Sequence, residues 1–483
     1  MEKKGSITVG LCLVLSLILS LTAVSIRSVR TAGARVQIAA GMEQGLYSVF
    51  AQYNRTLLEK YDVFFVDSSY GTDGFHPEQM YNTLEMVMQK VVHPERDRLL
   101  PVSADLWKLN LTGGGITGYA LATDGQGAFF RQQAVEYMKE TLGEQGIQRI
   151  LERLEGGSAD GEEGDSAVDD LMEEFDREKT EAESDAQTAE AQPESDAPTA
   201  EAPRKNPIEV IREIRKMGVL TLVLKDSGRL SSLELDTASL ASNRSLHSGM
   251  GTLPLPESGG ISDKALLMEY AMTHFPCYTS GEGTGLNCQA EYLLEGKGSD
   301  TENLKKVAAK LLAVREAANL LYLSTDPVKK AEVDAMALAI TTAFGLPVAQ
   351  QLVSALLMAC WAFAESVLDV RELLDGGKTE LIKSDAGWQL SLENLPELLN
   401  GLDSFRKSPE RGITYEDYLR IFLLAESEET LSMRMLDMIE QTMWQEGEAN
   451  FLADRCVCWM EAQMKASEGT MEFNITRSYG YYQ

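Results

Sequence analysis

The chain has 483 residues, 44% of them hydrophobic and 24% charged. That is enough apolar material for ordinary cores and enough length for roughly two to four domains. The formal net charge of −30 excludes a general nucleic-acid binder, because neutralising phosphates takes clustered Lys and Arg. Six Cys exclude a disulfide-dense scaffold, and four His argue against a His-rich metal enzyme.

Residues 1–6 read as a short N-terminal leader, and residues 7–26 (ITVGLCLVLSLILSLTAVSI) as a transmembrane anchor without a charge. As a helix this run is roughly 30 Å long, one hydrocarbon core thick. A secretory signal has a shorter apolar region of about 7–15 residues, so a retained anchor is preferred to a cleaved signal. Lys3 and Lys4 before it and Arg27, Arg30 and Arg35 after it nearly balance, so charge does not orient it. The large acidic body favours an extracytoplasmic C-terminal side.

Residues 27–60 read as an amphipathic extension of the anchor helix. Val29, Ala32, Val36, Ala39 and Ala40, then Leu46, Val49, Phe50, Tyr53 and Leu57, mark one face. Either one helix runs from Ile7 to about Lys60, or two helices meet near Gly33 or Gly41.

The N-terminus Gly5-Ser6-Ile7-Thr8-Val9, preceded by Lys3 and Lys4 and followed by the apolar run, resembles that of TadE/TadG-like proteins, minor pseudopilins of tight-adherence pilus systems. In that family a Glu stands five residues after the Gly, where this chain has Gly10. Longer stretches resemble a clostridial domain family of unknown function with such an anchor. They are residues 118–139, 291–323, 362–392 and 412–425, including GYALATDGQGAFFRQQAVEYMK and GITYEDYLRIFLLA. The resemblance implies a cell-surface or pilus-associated role, protein partners in a pilus or secretion assembly, and no known catalytic residues.

Residues 61–154 read as the first part of an α+β domain. The expected elements are a buried strand at Tyr61–Val66, a helix at Gln79–Val92, strands at Asp105–Leu111 and Gly118–Thr123 around a Gly113-Gly114-Gly115 turn, and a helix at Ala128–Leu154. Its expected buried set runs from Phe130, Ala134, Tyr137 and Met138 to Ile147, Ile150, Leu151 and Leu154. Residues 155–205 change character: residues 155–203 hold 18 Asp and Glu against Arg177 and Lys179. Such a tract cannot offset the entropy of ordering and reads as a disordered acidic linker, with residues 168–175 (VDDLMEEF) as a short helical docking segment.

Residues 206–483 read as the mostly helical second part of the same domain. Asn206-Pro207 opens a helix, and Gly218–Leu224 reads as a strand. Helices follow at Lys264–His274, Glu302–Leu323, Lys329–Leu374 around Gly345-Leu346-Pro347, and Tyr415–Met443, with a late strand at Thr470–Ile475. In the amphipathic 302–323 helix the expected core residues are Leu304, Val307, Ala308, Leu311, Leu312, Ala318 and Leu321. Residues 346–364 nearly suffice for a second membrane span, but Gln350, Gln351, Glu365 and Asp369 make a buried core helix the preferred reading. Glu365 then needs a partner, and Arg315 is the candidate.

The sequence contains no metalloprotease helix motif, nucleophile elbow or phosphate loop, and Gly281–Gly285 reads as a loop. His274, Cys277 and Cys288 offer three metal donors or a Cys277–Cys288 disulfide, with free thiols equally open. Cys456 and Cys458 read as strand positions on one face, and Cys12 and Cys360 as small hydrophobes. Asp67, Asp73 and Asp124 lie in loops, where turn chemistry is preferred to Ca²⁺ binding. No catalytic, cofactor or metal residue is assigned. The expectation is an α+β, non-catalytic, single-pass surface protein, anchored in lipid through residues 7–26. The rival readings are a membrane-tethered surface hydrolase and a ligand-binding ectodomain.

Overall fold

The computed structural model describes residues 3–93, 107–155, 171–174, 176, 177, 180, 206–397 and 408–481, apart from 226, 227, 229, 258, 282, 344–348 and 410. These residues form two compact units. Unit 1 comprises residues 1–141, 238–263 and 428–483; unit 2 comprises residues 142–237 and 264–427. The architecture is α+β, largely helical with one small sheet and a long apolar N-terminal helix. The acidic linker expected at 155–205 lies almost wholly outside the described residues, as does the break around Gly345–Pro347.

Unit 1 contains the sheet. Its elements are α1 (Lys3–Phe50), α2 (Arg55–Tyr61), β1 (Val66–Asp67), α3 (Pro77–Val92), β2 (Asn110–Leu121) and the start of α4 (Asp124–Glu155). The C-terminal part adds α13 (Glu428–Gln445), β3 (Cys456–Glu468) and β4 (Met471–Gly480), the helices numbered between being those of unit 2. Strand β3 pairs antiparallel with all three others, from Val66↔Val457 through Tyr119↔Met460 to Ala462↔Arg477. Its period-2 alternation puts Met460, Ala462, Met464 and Ala466 on the buried face. Cys456 and Cys458 share that parity and are buried, as expected. Helices α1 and α3 cover this face. They contribute Ala34, Ile38, Met42 and Leu46 from α1, and Met80, Leu84, Met88 and Val92 from α3, at four-residue intervals.

Four expectations in this unit need correction. The helix does not continue to Lys60: α1 ends at Phe50, and Asn54 restarts the chain by accepting from Leu57 N at 3.0 Å, an N-cap for α2. No strand spans Tyr61–Val66: Tyr61 ends α2, Asp62 is its left-handed C-cap, and only Val66 pairs with the sheet. The Gln133 amide takes a strand's place, accepting from Phe64 N at 2.7 Å and donating to Phe64 O at 3.0 Å. The two strands around Gly113–Gly115 are one strand, β2, with register shifts on either side of the glycines. A Cβ on Gly114 would lie 2.5 Å from Gln463 O and 2.4 Å from Tyr81 Oη, so Gly114 permits close approach to β3, and the run makes no reversal. In α4, Phe130, Ala134 and Met138 are buried but Tyr137 is half-exposed; the side chains of Ile147, Ile150, Leu151 and Leu154 lie outside the described residues.

Unit 2 is helical: α5 (Pro207–Arg215), α6 (Val219–Val223), most of α7 (Ile261–His274), α8 (Gln289–Glu295), α9 (Asp300–Thr325), α10 (Pro327–Ala343), α11 (Gln350–Leu374) and α12 (Tyr415–Ala425). Caps set several starts: Asn206 accepts from Ile208 N, Ser299 from Glu302 N, and Thr414 with Asp417 forms a capping box. Helix α11 is the centre, packed by α9, α10, α5 and α6 and buried along most of its length, which matches the core-helix reading of 346–364. The expected strand at 218–224 is instead the one-turn helix α6. Its last carbonyls, Leu222 O and Leu224 O, receive the Arg371 guanidinium at 3.2 and 3.3 Å, so it closes without a strand partner. On α9 the buried seam runs through Arg315, Asn319 and Leu323, leaving Ala318 half-exposed and Leu321 exposed.

Candidate functional site: the apolar stem and the buried polar clusters

Helix α1 has two characters. From Ile7 to Val29 its large apolar side chains are exposed all round, Leu11 and Leu17 each 68%. From Ala34 onward one face is fully buried, with Ile38 and Met42 at 0%. A helix apolar on every side has no core-facing stripe and suits lipid. Its hydroxyl residues are matched to such a medium. Ser16, Ser20, Thr22 and Ser25 each donate to a carbonyl three or four residues back, at 2.8–2.9 Å, so these four hydroxyl hydrogens do not need water. Where exposure ends, Arg30 reaches Glu468 of β3 through Nε at 2.8 Å. Trp107 lies over Gly33, where a Cβ would stand 2.4 Å from its ring. Aromatic and basic side chains are the usual neighbours of a membrane–water boundary. Helix α1 is therefore long and apolar enough to span a membrane.

Unit 2 buries a four-charge cluster. Arg315 of α9, 0% exposed, donates from Nη2 to Asp369 Oδ2 at 2.9 Å, and from Nη1 to Glu380 O at 2.9 Å and Leu381 O at 3.0 Å. Lys383 lies 2.6 Å from Glu365 Oε1 and 2.7 Å from Asp369 Oδ1. The partner expected for Glu365 was Arg315. Instead Glu365 takes Lys383 and the backbone N–H groups of Gln389 and Leu390, each at 3.0 Å, while Arg315 takes Asp369. Both carboxylates sit one helical turn apart on α11, so each reaches a different cation. Burial opposes charge on Lys383, but Asp369 and Glu365 raise its pKa. The cluster is charge-balanced and fastens the chain after α11 by its own backbone; these are structural uses of charge. The sequence signal was present as two i,i+4 polar pairs on buried seams, Arg315/Asn319 and Glu365/Asp369.

A second polar centre surrounds Glu291 on α8. The residue is fully buried, and its Oε1 accepts from Tyr278 N at 2.9 Å and Tyr415 Oη at 2.7 Å. Burial pushes its pKa up to about 7. Cys277 and Cys288 are buried beside it as free thiols, not the disulfide held open by the sequence. Burial pushes both thiols up, with the Glu291 charge adding to the effect, so neither is an activated nucleophile. His274 packs on Tyr270, ring centroids 4.4 Å apart. Sequence reading missed Glu291, because one acid in an apolar helix looks like a solvated position.

Unit 1 has a comparable fastening. Arg244 holds Glu440 with both Nη atoms, at 2.7 and 2.6 Å, and Asp454 at 2.7 Å; His247 Nδ1 lies 2.8 Å from the other Asp454 oxygen. Of the three aspartates expected in loops, Asp67 closes β1 and Asp124 opens α4, and each accepts from nearby backbone, while Asp73 has an ion-pair contact. Asp67 accepts from Ser69 N and Oγ at 2.8 Å, Asp124 from Leu121 N and Gly249 N, and Asp73 faces Arg455 at 3.4 Å. Among the described residues no group of three or more His, Cys, Asp or Glu is placed to hold a metal ion.

Stem, sheet and helical unit together define an α+β protein carrying a membrane-competent N-terminal helix. The profile of DUF5702, a family of unknown function, matches residues 198–468, and the chain belongs to that family. No curated protein and no solved structure matches it.

Proposed function

We propose that this chain is a non-catalytic, single-pass surface protein whose body stands on the extracytoplasmic side of a membrane and joins a pilus or secretion assembly of the TadE-like kind. The observation that carries the reading is the change of character along α1, from exposed on all sides at 7–29 to one-sided burial from Ala34. One rigid helix links lipid to the sheet, so the anchor confines the body to a plane and raises its effective concentration for lateral partners. The non-catalytic part rests on the buried charges: Arg315, Lys383, Glu365 and Asp369 satisfy one another and backbone groups. The pilus element rests on the resemblance of Gly5–Val9 and its flanks to pseudopilin N-termini.

Protease shaving of intact cells expressing the chain tests the topology. The expected result is loss of the body and recovery of a membrane-held fragment beginning at or near the N-terminus and reaching past Ile26. Full protection in intact cells, with digestion only after lysis, would place the body inside and overturn the proposal.

A further inference from the structure

Unit 2 carries an open groove of about 380 Å³ between α5, α6, α9 and α11. Its floor is apolar, with Leu222, Leu312 and Phe363; its rim carries Arg212, Arg215 and Lys216, of which Arg215 lies 3.9 Å from Glu316 and Lys216 2.9 Å from Glu213, leaving Arg212 to face the acidic tract. A short helical piece of the acidic tract meets it. Met172 lines the groove and is only 7% exposed, and Asp176, one turn on, accepts from Arg212 Nη2 at 2.9 Å. Every other side chain from Leu171 to Arg177 whose burial is defined is half-exposed or exposed. The groove lining from Arg212 to Phe363 falls inside the family match at 198–468, whereas the helical piece falls before it.

We propose that this groove is a docking site for an acidic amphipathic helix, and that the tract's own segment around Met172 and Asp176 occupies it in cis. Two independent features specify the occupant. An apolar side chain lines the groove wall, and a carboxylate four residues later meets Arg212 on the rim, the i,i+4 spacing of one helix face. The tract is acidic well beyond that one residue, with 18 Asp and Glu in residues 155–203. A tethered segment acts at a high effective concentration, so it outcompetes a free helix of similar sequence until its own contact is broken. The acidic tract is then a built-in competitor for helical partners of like chemistry.

The test uses the full chain in detergent micelles and a fluorescent peptide with the sequence of residues 165–180. Met172→Asp removes the segment's apolar contact at the groove wall, so this variant should bind the peptide about tenfold more tightly than the wild type, whose own segment holds that contact. Adding Arg212→Glu should weaken that binding about tenfold, and Asp176→Arg in the peptide should restore it, with affinity falling as salt rises. Equal binding by wild type and M172D, or binding by neither, overturns the proposal. Hydrogen exchange without peptide gives a second reading in case M172D unfolds. R212E should speed exchange at residues 171–177 and R212E/D176R should slow it again; unchanged protection would count against the cis contact. Concentration-dependent dimers lost in M172D would show that the segment docks on a second copy, and would overturn the cis assignment.

Discussion

Glu291 presents its carboxyl to a site that prefers it neutral. Oε1 accepts two hydrogen bonds, Oε2 has no partner among the described residues, and Asp300 adds a like charge to the cost of burial. Its folded pKa of about 7 stands above the ordinary 4.5. Between those values the native state keeps a proton that the unfolded chain has released. Stability therefore falls as pH rises through that window and levels off above it, by on the order of 3 kcal/mol for this group. Glu291→Gln keeps the shape and removes the ionisation. Urea unfolding at pH 5 and pH 8 should show the variant gaining on wild type at the higher pH; equal loss by both proteins would assign the slope to other groups.

At the scale of elements, α1 and α3 meet through small residues. A Cβ on Gly45 would stand 2.4 Å from Leu84 Cδ1 and 3.2 Å from Leu84 O, and one on Gly41 would stand 2.9 Å from Met88 Sδ. Leu84 is itself fully buried and has nowhere to retreat. Gly45→Leu should therefore destabilise unit 1 by about 1–3 kcal/mol. Val36→Asp, at a position 68% exposed, should leave the melting temperature within about 1 °C and serve as the clean probe of lateral partners. Similar melting curves for G45L and wild type would remove the seam from the account. Leu46 and Val49 are core residues of unit 1, so charges there would unfold it rather than release a partner.

The same helices show what the sequence disclosed. The apolar run at 7–26, the Asn206-Pro207 start and the late strand were legible because local pattern and tertiary use agree. The strand expected at 218–224 was not, because its apolar composition suits either state and an arginine 149 residues away closes the helix. Leu321 was misplaced, and Arg315, expected inside as the partner of Glu365, met Asp369 instead, for a comparable reason. Hydrophobicity assigns the leucine to the core, but Asp369 and two loop carbonyls draw the arginine in. Glu291 was hidden for want of any local sign that Tyr278 and Tyr415 would converge on it.

For the whole molecule, the stem and the folded body separate at a definite place on α1. All-round exposure of apolar side chains ends at Val29, Arg30 is held by Glu468, and the buried face begins at Ala34. A chain beginning at Ser28 thus loses nearly all of the exposed apolar stem and keeps every α1 residue of the hydrophobic core. Its acidic surface, left more negative by the loss of Lys3, Lys4 and Arg27 against Glu2 alone, disfavours association once the stem is gone. The shortened protein should appear in the soluble fraction without detergent and unfold cooperatively, with the native circular dichroism of a mixed α and β fold. The full chain should stay with membranes through high-salt and alkaline washing, since its attachment is apolar and not ionic. Release of the full chain by those washes would reduce α1 to a peripheral contact. A shortened chain that remained insoluble would mean that residues before Ser28 also complete the fold of unit 1.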